Sequence, residues 1–298
     1  MASCTYVLVT PAKNEEGFVA GAIESILAQR QQPLKWVIVS DGSTDRTDAI
    51  VADYAGRHDF IRLIRRGASP ERGFASKVAA FREGYRALAH LPFDFIGNLD
   101  ADVTLDPEYY ARALERFAQE PRLGICSAVY WNRVGDRLQL SRTRSADTPG
   151  AAQLFRRECY EQIGGYPSLE RGGEDTLAAA MARMRGWTTR SFAEPKVVHN
   201  RVSGGTERTR LLRHRFQQGA ANHDWGAHPL FMIGKALGRL DEPPAVLGSL
   251  ALLSGYFGLW LRRTPIPIAD EVVRFVRREQ MQRLLRRLHL RRSQADTD

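Results

Sequence analysis

Phe95-Ile96-Gly97-Asn98-Leu99-Asp100-Ala101-Asp102 is an apolar run ending in two aspartates one residue apart, with Pro107 soon after. A buried strand with carboxylates at its C-terminal tip reads this way. Open parallel sheets place their ligand sites outside the carboxyl ends of the strands. Two carboxylates this close repel each other, and both stay ionised readily only with a cation beside or between them. Oxygen donors favour Mg²⁺ or Mn²⁺, which bind through one or two carboxylates plus phosphate oxygens of a substrate. The competing reading is a turn that caps a helix at Pro107, and the tripeptide alone does not separate the two.

The residues before this run set its context. Tyr6-Val7-Leu8-Val9-Thr10-Pro11 predicts a buried first strand stopped by proline. Val19, Ala22, Ile23, Ile26 and Leu27 then recur at helical spacing. Asn14 is the expected cap of that helix, with Glu15 and Glu16 near its positive end. Trp36 to Ser40 reads as a second strand, Asp41 to Asp45 as a turn, and Ile50, Val51 and Tyr54 as part of a second helix. Ile61 to Ile64 is a third strand, Arg65 to Gly73 a polar loop, and Val78, Phe81, Tyr85 and Leu88 mark a third helix before the strand Phe93 to Leu99. The order β-α-β-α-β-α-β implies a mostly parallel sheet with helices on both faces.

Past Pro107 a helix runs through Tyr110, Ala113, Leu114 and Phe117, and Gly124 to Trp131 reads as a strand. Asn132 to Gly150 is polar and long enough to be a mobile loop. Gln153 to Phe155 reads as a strand, and Glu158 to Ile163 as a short helix closed by Gly164-Gly165. Glu174-Asp175 opens a helix through Leu177, Met181 and Met184, ended by Gly186. Thr188 to Phe192 and Val197 to His199 read as short strands. The C-terminal third differs. Arg208 to Asn222 reads as a basic helix, and Ala245 to Leu261 is apolar without a charge, between Pro243-Pro244 and Arg262-Arg263. A membrane span takes about 20 apolar residues, so this segment is marginal. Val273, Val276, Leu284 and Leu288 form a stripe on an arginine-rich helix, the pattern of a segment lying in a membrane interface. The alternative is a core helix followed by a solvated basic one.

Composition narrows the function classes. The chain has 298 residues, 43% of them hydrophobic, which suits one large domain or a domain with an appendage. Its net charge of +9 suits a polyanionic partner: nucleotide, nucleic acid or anionic lipid. The excess is uneven, since Val272 to Arg292 holds eight arginines and one glutamate. No recognised nucleic-acid motif accompanies it. Cys4, Cys126 and Cys159 show no metal-ligand spacing, which suits a reducing cytosol, and the N-terminus shows no signal-peptide pattern.

Six stretches fall in an order that resembles the family-2 group of inverting glycosyltransferases with the GT-A fold. They are Val9 to Glu16, Val39 to Asp45, Asp100-Ala101-Asp102 with Pro107, Gly164-Gly165-Tyr166, Gly173-Glu174-Asp175 and Val198-His199. The resemblance covers roughly the first two-thirds of the chain and implies an α/β GT-A domain over residues 1–205, with a mostly parallel central sheet and helices on both faces; it fades over 206–298, where a helical, basic, membrane-associating appendage is expected. It implies a nucleotide-sugar donor, a UDP-sugar ahead of a GDP-sugar, a divalent Mn²⁺ or Mg²⁺, and hexosyl transfer with inversion. By position, Pro11, Ala12 and Glu15 would line the nucleoside pocket and Asp41 would accept a hydrogen bond from the base. Lys77 would lie near the donor phosphates, or be a solvated lysine on a helix face. Asp100, Asp102 and His199 would form the metal group: Asp102 as direct ligand, Asp100 toward ribose or a metal-bound water, and His199 toward the metal or diphosphate. For His199 a structural strand-end histidine is the alternative. Asp175 would be the general base, paired with Glu174; otherwise both acids merely favour a helix N-terminus.

The family's processive synthases carry a Gln-x-x-Arg-Trp box, and Arg213 to Gly219 does not fit it. Single addition to a lipid-linked or polysaccharide hydroxyl is therefore the expectation, at the inner face of the cell membrane. Arg208, Arg210, Arg213 and Arg215 would meet an acceptor pyrophosphate or form a solvated basic face. Two other classes compete. A sugar-phosphate nucleotidyltransferase would show a glycine-rich phosphate loop after the first strand, which Pro11 to Asn14 is not. A non-enzymatic basic protein would bind a membrane surface without nucleotide or metal dependence.

Overall fold

Apolar runs too continuous for a half-exposed strand become strands covered on both faces. In the computed structural model, which describes residues 4–67, 73–141, 146–201 and 208–295, the chain forms two compact units. One comprises Met1–Glu170 with Glu174–Val202, the other Arg171–Gly173 with Ser203–Asp298. The expected boundary after residue 205 lies outside the described residues, as do the middle of the Arg65 to Gly73 loop and part of the Asn132 to Gly150 stretch.

The first unit begins with β1 (Tyr6–Ala12), α1 (Val19–Leu27), β2 (Lys35–Asp41), α2 (Thr47–Arg57), β3 (Ile61–Arg66), α3 (Phe74–Leu88) and β4 (Phe95–Leu99). It continues with β5 (Val103–Leu105), α4 (Tyr109–Gln119), β6 (Leu123–Val134), β7 (Arg137–Leu140), β8 (Ala152–Arg156), α5 (Arg157–Gln162), α6 (Glu174–Met184) and β9 (Thr188–His199). The sheet order is β3-β2-β1-β4-β8-β6-β9-β5, with β7 paired to β6. Alternate residues of the first strands serve opposite faces. Tyr6, Leu8, Trp36 and Ile38 pack with α1, α2 and α4, while Val7, Val9, Val37 and Val39 pack with α3, α5 and α6. Each such fully buried aliphatic side chain contributes roughly 2 kcal/mol.

The parallel half follows the expected order: β1 pairs parallel with β2 and β4, and β2 with β3. Beyond β4 the sheet is mixed. β8 runs antiparallel to both β4 and β6, whereas β6 and β9 are parallel. The polar stretch after Trp131 is not simply a loop. β6 continues to Val134 and turns back as β7, with Trp131 opposite Leu140. The two short strands expected near the end of this unit are one, β9, which passes an irregularity opposite Ala128 to Tyr130 of β6. Asn14 does not cap α1, whose N-cap is Phe18 without a side-chain bond. Asn14 instead has a positive φ of 54°, and its Oδ1 accepts the Thr44 N–H at 2.8 Å. Asparagine tolerates that left-handed conformation better than most residues, and the loop after β1 is thereby tied to the loop after β2.

The second unit holds α7 (Arg208–Asp224), α8 (Pro229–Leu237), α9 (Ala245–Leu261) and α10 (Asp270–Ala295). α9 covers the whole apolar segment read from sequence. Its Gly255 lies against α7 so closely that a Cβ would come 2.0 Å from the Phe216 carbonyl oxygen, and one on Gly219 of α7 would come 2.0 Å from that of Leu252. Small residues thus let the two backbones touch, and Leu252 and Tyr256 are buried beside them. Among the described residues no helix is long and apolar enough to cross a membrane. The stripe on α10 is also not free to lie in an interface. Val273 and Val276 are buried, Leu284 lies close to Gly234, and Gln280 accepts the His228 N–H at 2.7 Å, so the stripe packs on its own unit; Leu288 lies outside the residues whose side chains are described. Exposed apolar residues include Leu285 on α10 and Phe216 on α7, but most lie on the other two helices: Leu230, Ile233 and Leu237 on α8, and Val246, Leu247, Leu250, Trp260 and Leu261 on α9.

Candidate active site

The tip of β4 and the short strand after it build the acidic cluster. Asp100 follows β4, its N–H donates to the Ala151 carbonyl, and the chain turns at once into β5. β5, absent from the sequence reading, pairs antiparallel with the end of β9 and sets Val103 opposite His199. The Asn200 N–H then donates to the Asp102 carbonyl at 2.9 Å. This pairing carries His199 to the two aspartates from nearly 100 residues away. One ligand atom each from Asp100, Asp102 and His199 lies within 4.8 Å of the others.

The donor set suits a hard or borderline divalent ion, with two carboxylates and one imidazole. The histidine's tautomer supports the fit. His199 Nδ1 lies 2.5 Å from the Arg201 carbonyl oxygen, which only accepts, so Nδ1 carries the proton. Nε2 faces Asp102 Oδ1 at 3.6 Å. Two acceptors face each other there unless a proton or a metal ion lies between them, and an Nδ1–H···O=C bond is the usual support behind a metal-binding Nε2. Burial pushes the Asp102 carboxyl above its ordinary range and Asp100 adds to this, while His199 and Arg201 oppose it. A cation in the cluster relieves that cost.

Lys77, on α3, joins this cluster to the acids that open α6. Its Nζ lies 2.8 Å from Asp100 Oδ1 and 3.8 Å from Glu174 Oε1. Burial works against the ammonium, but Asp100 and Glu174 outweigh it and hold the Lys77 proton more tightly than usual. The lysine is therefore not a solvated residue on a helix face; it is the counter-ion of the acids around it. Burial drives the Glu174 carboxyl up to about 7 against the pull of Lys77, and Asp175 and Asp100 add to the rise. Asp175 differs from its neighbour. Its Oδ2 accepts the Gly150 N–H at 2.8 Å and its Oδ1 the Thr176 N–H at 2.6 Å. Backbone donors fix this carboxylate beside a small cavity lined by Lys77, Phe81, Asn98, Gly150, Tyr166 and Glu174.

The other predicted residues lie at the ends of β1 and β2. Pro11 and Ala12 close β1, in register with Val39 and Ser40. Asp41 closes β2, where its Oδ1 accepts from Arg66 at 2.9 Å and its Oδ2 from the Ser76 hydroxyl. A base arriving there meets a carboxylate already held by two donors. The Glu15 carboxylate is buried and paired with Arg201, whose guanidinium also reaches Asp102. In the second unit Arg215 is paired with Glu242 at 2.7 Å and is committed to it rather than free for a pyrophosphate. Arg210 and Arg213 are exposed, and the Arg208 side chain lies outside the described residues.

The model of the family described as glycosyl transferase family 2 matches residues 7–175, more than half of the sequence. The chain belongs to glycosyl transferase family 2. It is 27% identical over 191 residues to the beta-monoglucosyldiacylglycerol synthase of Synechocystis, a match covering 63% of this chain and 38% of that protein. The chain thus spans well under two thirds of that relative's length. Among solved structures it is similar to the mannosyltransferase PcManGT of Pyrobaculum calidifontis in complex with GDP-Man and Mn²⁺, with a TM-score of 0.56 and 17% identity over 91% of this chain and 78% of that one. It is similar also to Staphylococcus aureus TarS 1-349 in complex with UDP-GlcNAc, with a TM-score of 0.54 and 13% identity over 91% and 78% of the respective chains. At these identities the structures establish the shared GT-A-type fold.

Sequence reasoning missed four residues that shape the site: Asn98, Ser76, Gly150 and Arg201. Asn98 donates from Nδ2 to Asp100 Oδ1 at 3.1 Å and to the Gly150 carbonyl, joining the two halves of the cluster. Its place inside the apolar run before Asp100 is the one signal available, since a buried polar residue needs partners. Nothing in the spacing marks the other three.

Proposed function

We propose that this glycosyltransferase is inverting and metal-assisted, and that it adds one hexosyl residue from a nucleotide-sugar to a hydroxyl of a lipid-linked or polysaccharide acceptor. The observation that carries the proposal is the convergence of Asp100, Asp102 and His199 with Lys77, Glu174 and Asp175 at one rim of one sheet. Asp100, Asp102 and His199 would hold the divalent ion. When bound, that ion neutralises charge on the departing diphosphate. Asp175 takes the proton of the acceptor hydroxyl, since a neutral hydroxyl is a weak nucleophile. Its two backbone donors keep the carboxylate oriented for that role. Lys77 stays with Asp100 and Glu174, where its charge offsets the repulsion of three neighbouring acids. Pro11, Ala12, Glu15 and Asp41 frame the nucleoside end. Attack and departure on opposite faces of the sugar give inversion.

A panel of UDP- and GDP-sugars tests this reading, each offered with Mn²⁺, with Mg²⁺ and with chelator. One donor is expected to be consumed, slowly as hydrolysis or quickly with acceptor, and only with metal, and the transferred sugar is expected to carry inverted anomeric configuration by NMR. Metal-independent turnover or retained configuration would refute the corresponding part.

We propose further that the second unit rests on an anionic membrane surface at the cytoplasmic face. The exposed leucines of α8 and α9, with Trp260 and Leu261 directly before Arg262-Arg263, combine apolar anchors with positive charge. The glycolipid product named for the Synechocystis relative supports this acceptor class. In vesicle sedimentation, binding is expected to rise with anionic lipid fraction and to drop by about tenfold for the double variant Trp260→Ser, Leu261→Ser, given about 25 cal/mol per Å² of apolar surface withdrawn from water. Equal sedimentation of both proteins at every composition counts against it.

A further inference from the structure

Arg201 occupies an unusual position. Its guanidinium pairs with the Glu15 carboxylate, and its Nε lies 3.2 Å from Asp102 Oδ2 without hydrogen-bond alignment. It stacks 4.9 Å above the Phe18 ring and is about one-third exposed. Its carbonyl oxygen meanwhile holds His199 Nδ1. One residue thus orients the imidazole through its backbone and places a fixed positive charge beside Asp102 through its side chain.

A divalent ion in the Asp100–Asp102–His199 cluster draws on the same Asp102 carboxylate. An arginine guanidinium does not lose its proton in a protein, so it cannot step aside by neutralising. It can only move, or remain and repel the ion. Of the two carboxylates it touches, Glu15 offers the hydrogen bond and Asp102 the weaker contact, so the Asp102 side is the one that gives way. Displaced from Asp102, the guanidinium keeps Glu15 on one edge and presents free N–H groups toward the cluster. Planar paired N–H groups match phosphate oxygens.

We propose that Arg201 is a counter-cation built into the site, which holds divalent-ion affinity low until a diphosphate arrives to receive it. This rests on Asp100, Asp102 and His199 being the metal ligands. Metal and diphosphate then bind with positive coupling through Arg201, and each must tighten the other by the same factor. The arrangement favours loading of the metal together with the donor rather than before it.

Isothermal titration of the full chain with Mn²⁺ alone, and again with saturating UDP or GDP, tests the proposal. Arg201→Gln keeps polar donors and the backbone carbonyl but removes the charge, and Arg201→Lys keeps the charge. With Mn²⁺ alone, Arg201→Gln is expected to bind about tenfold tighter than wild type, from loss of a unit charge several ångströms away in a partly screened site. Arg201→Lys is expected to stay near wild type. The tightening of Mn²⁺ by the nucleotide is expected to fall about tenfold in Arg201→Gln. Unchanged or weaker Mn²⁺ binding in folded Arg201→Gln, with wild type binding the ion normally, overturns the role of Arg201 and leaves the metal site standing. If neither protein binds Mn²⁺ with or without nucleotide, the metal reading fails and takes this inference with it.

Discussion

Asp175→Asn is expected to bind its donor as wild type does, within about threefold, and to lose transfer by 10²- to 10⁴-fold, the range for removal of a positioned general base. Asparagine has nearly the same shape and can still accept through one oxygen. One of the two backbone donors, Gly150 N–H or Thr176 N–H, loses its acceptor, which costs about 1 kcal/mol of stability and does not unfold the chain. What asparagine lacks is a basic oxygen. Because the effect belongs to the proton transfer, it is expected in kcat, with the nucleotide Kd unchanged. Glu174→Gln is the informative companion. Glu174 is buried, 3.8 Å from Lys77, and burial has already pushed its carboxyl up to about 7. Glu174 is engaged as a partner of Lys77, whereas Asp175 is held and oriented by backbone donors alone, so the Glu174 variant is expected to retain far more turnover than Asp175→Asn. Single-turnover assays on both variants with saturating donor decide it. A tenfold or smaller loss for Asp175→Asn would place the base elsewhere.

How much of this was legible beforehand depended on the range of the interaction. The parallel half was legible because its signals are local: continuous apolar strands, helical stripes, and polar turns between them. The resemblance through Asp100-Ala101-Asp102, Glu174-Asp175 and Val198-His199 anticipated which residues meet. It could not say how. His199 reaches the aspartates through β5, three residues long and pressed between Asp102 and Pro107, too short for any periodic signal. Lys77 was left open between a phosphate contact and a solvated lysine; its ion pairs with Asp100 and Glu174 exclude the second by a contact that spans 97 residues. Asn14 misled because an asparagine before an apolar helix is a good cap in isolation, whereas here Thr44 competes for its oxygen and wins. The stripe on α10 misled for the same reason: amphipathicity says that a face is buried, and not against what.

The second large effect is expected at Asp102. Asp102→Asn keeps the side chain's size and removes its charge from a three-ligand cluster. Loss of partners behind metal ligands already costs 10- to 100-fold in affinity, so loss of a ligand's charge is expected to weaken Mn²⁺ by about 100-fold or more, and to abolish metal-dependent donor binding with it. A structural role would predict something different. Burial and Asp100 both push the Asp102 carboxyl upward, so the folded state prefers it neutral. A group raised in the folded state adds stability below its unfolded pKa and loses it as pH rises through the folded one. At pH 8 the ionised Asp102 is therefore a strain on the fold, eased only in part by the positive charges of Arg201 and Lys77. Asparagine removes that strain. Without metal, Asp102→Asn is expected to melt at or above the wild-type temperature at pH 8, and the difference is expected to shrink as pH falls toward 4. With Mn²⁺ and nucleotide the order is expected to reverse, because only wild type gains from binding. A variant that melts well below wild type in both conditions would mean that Asp102 serves the fold and not the ion.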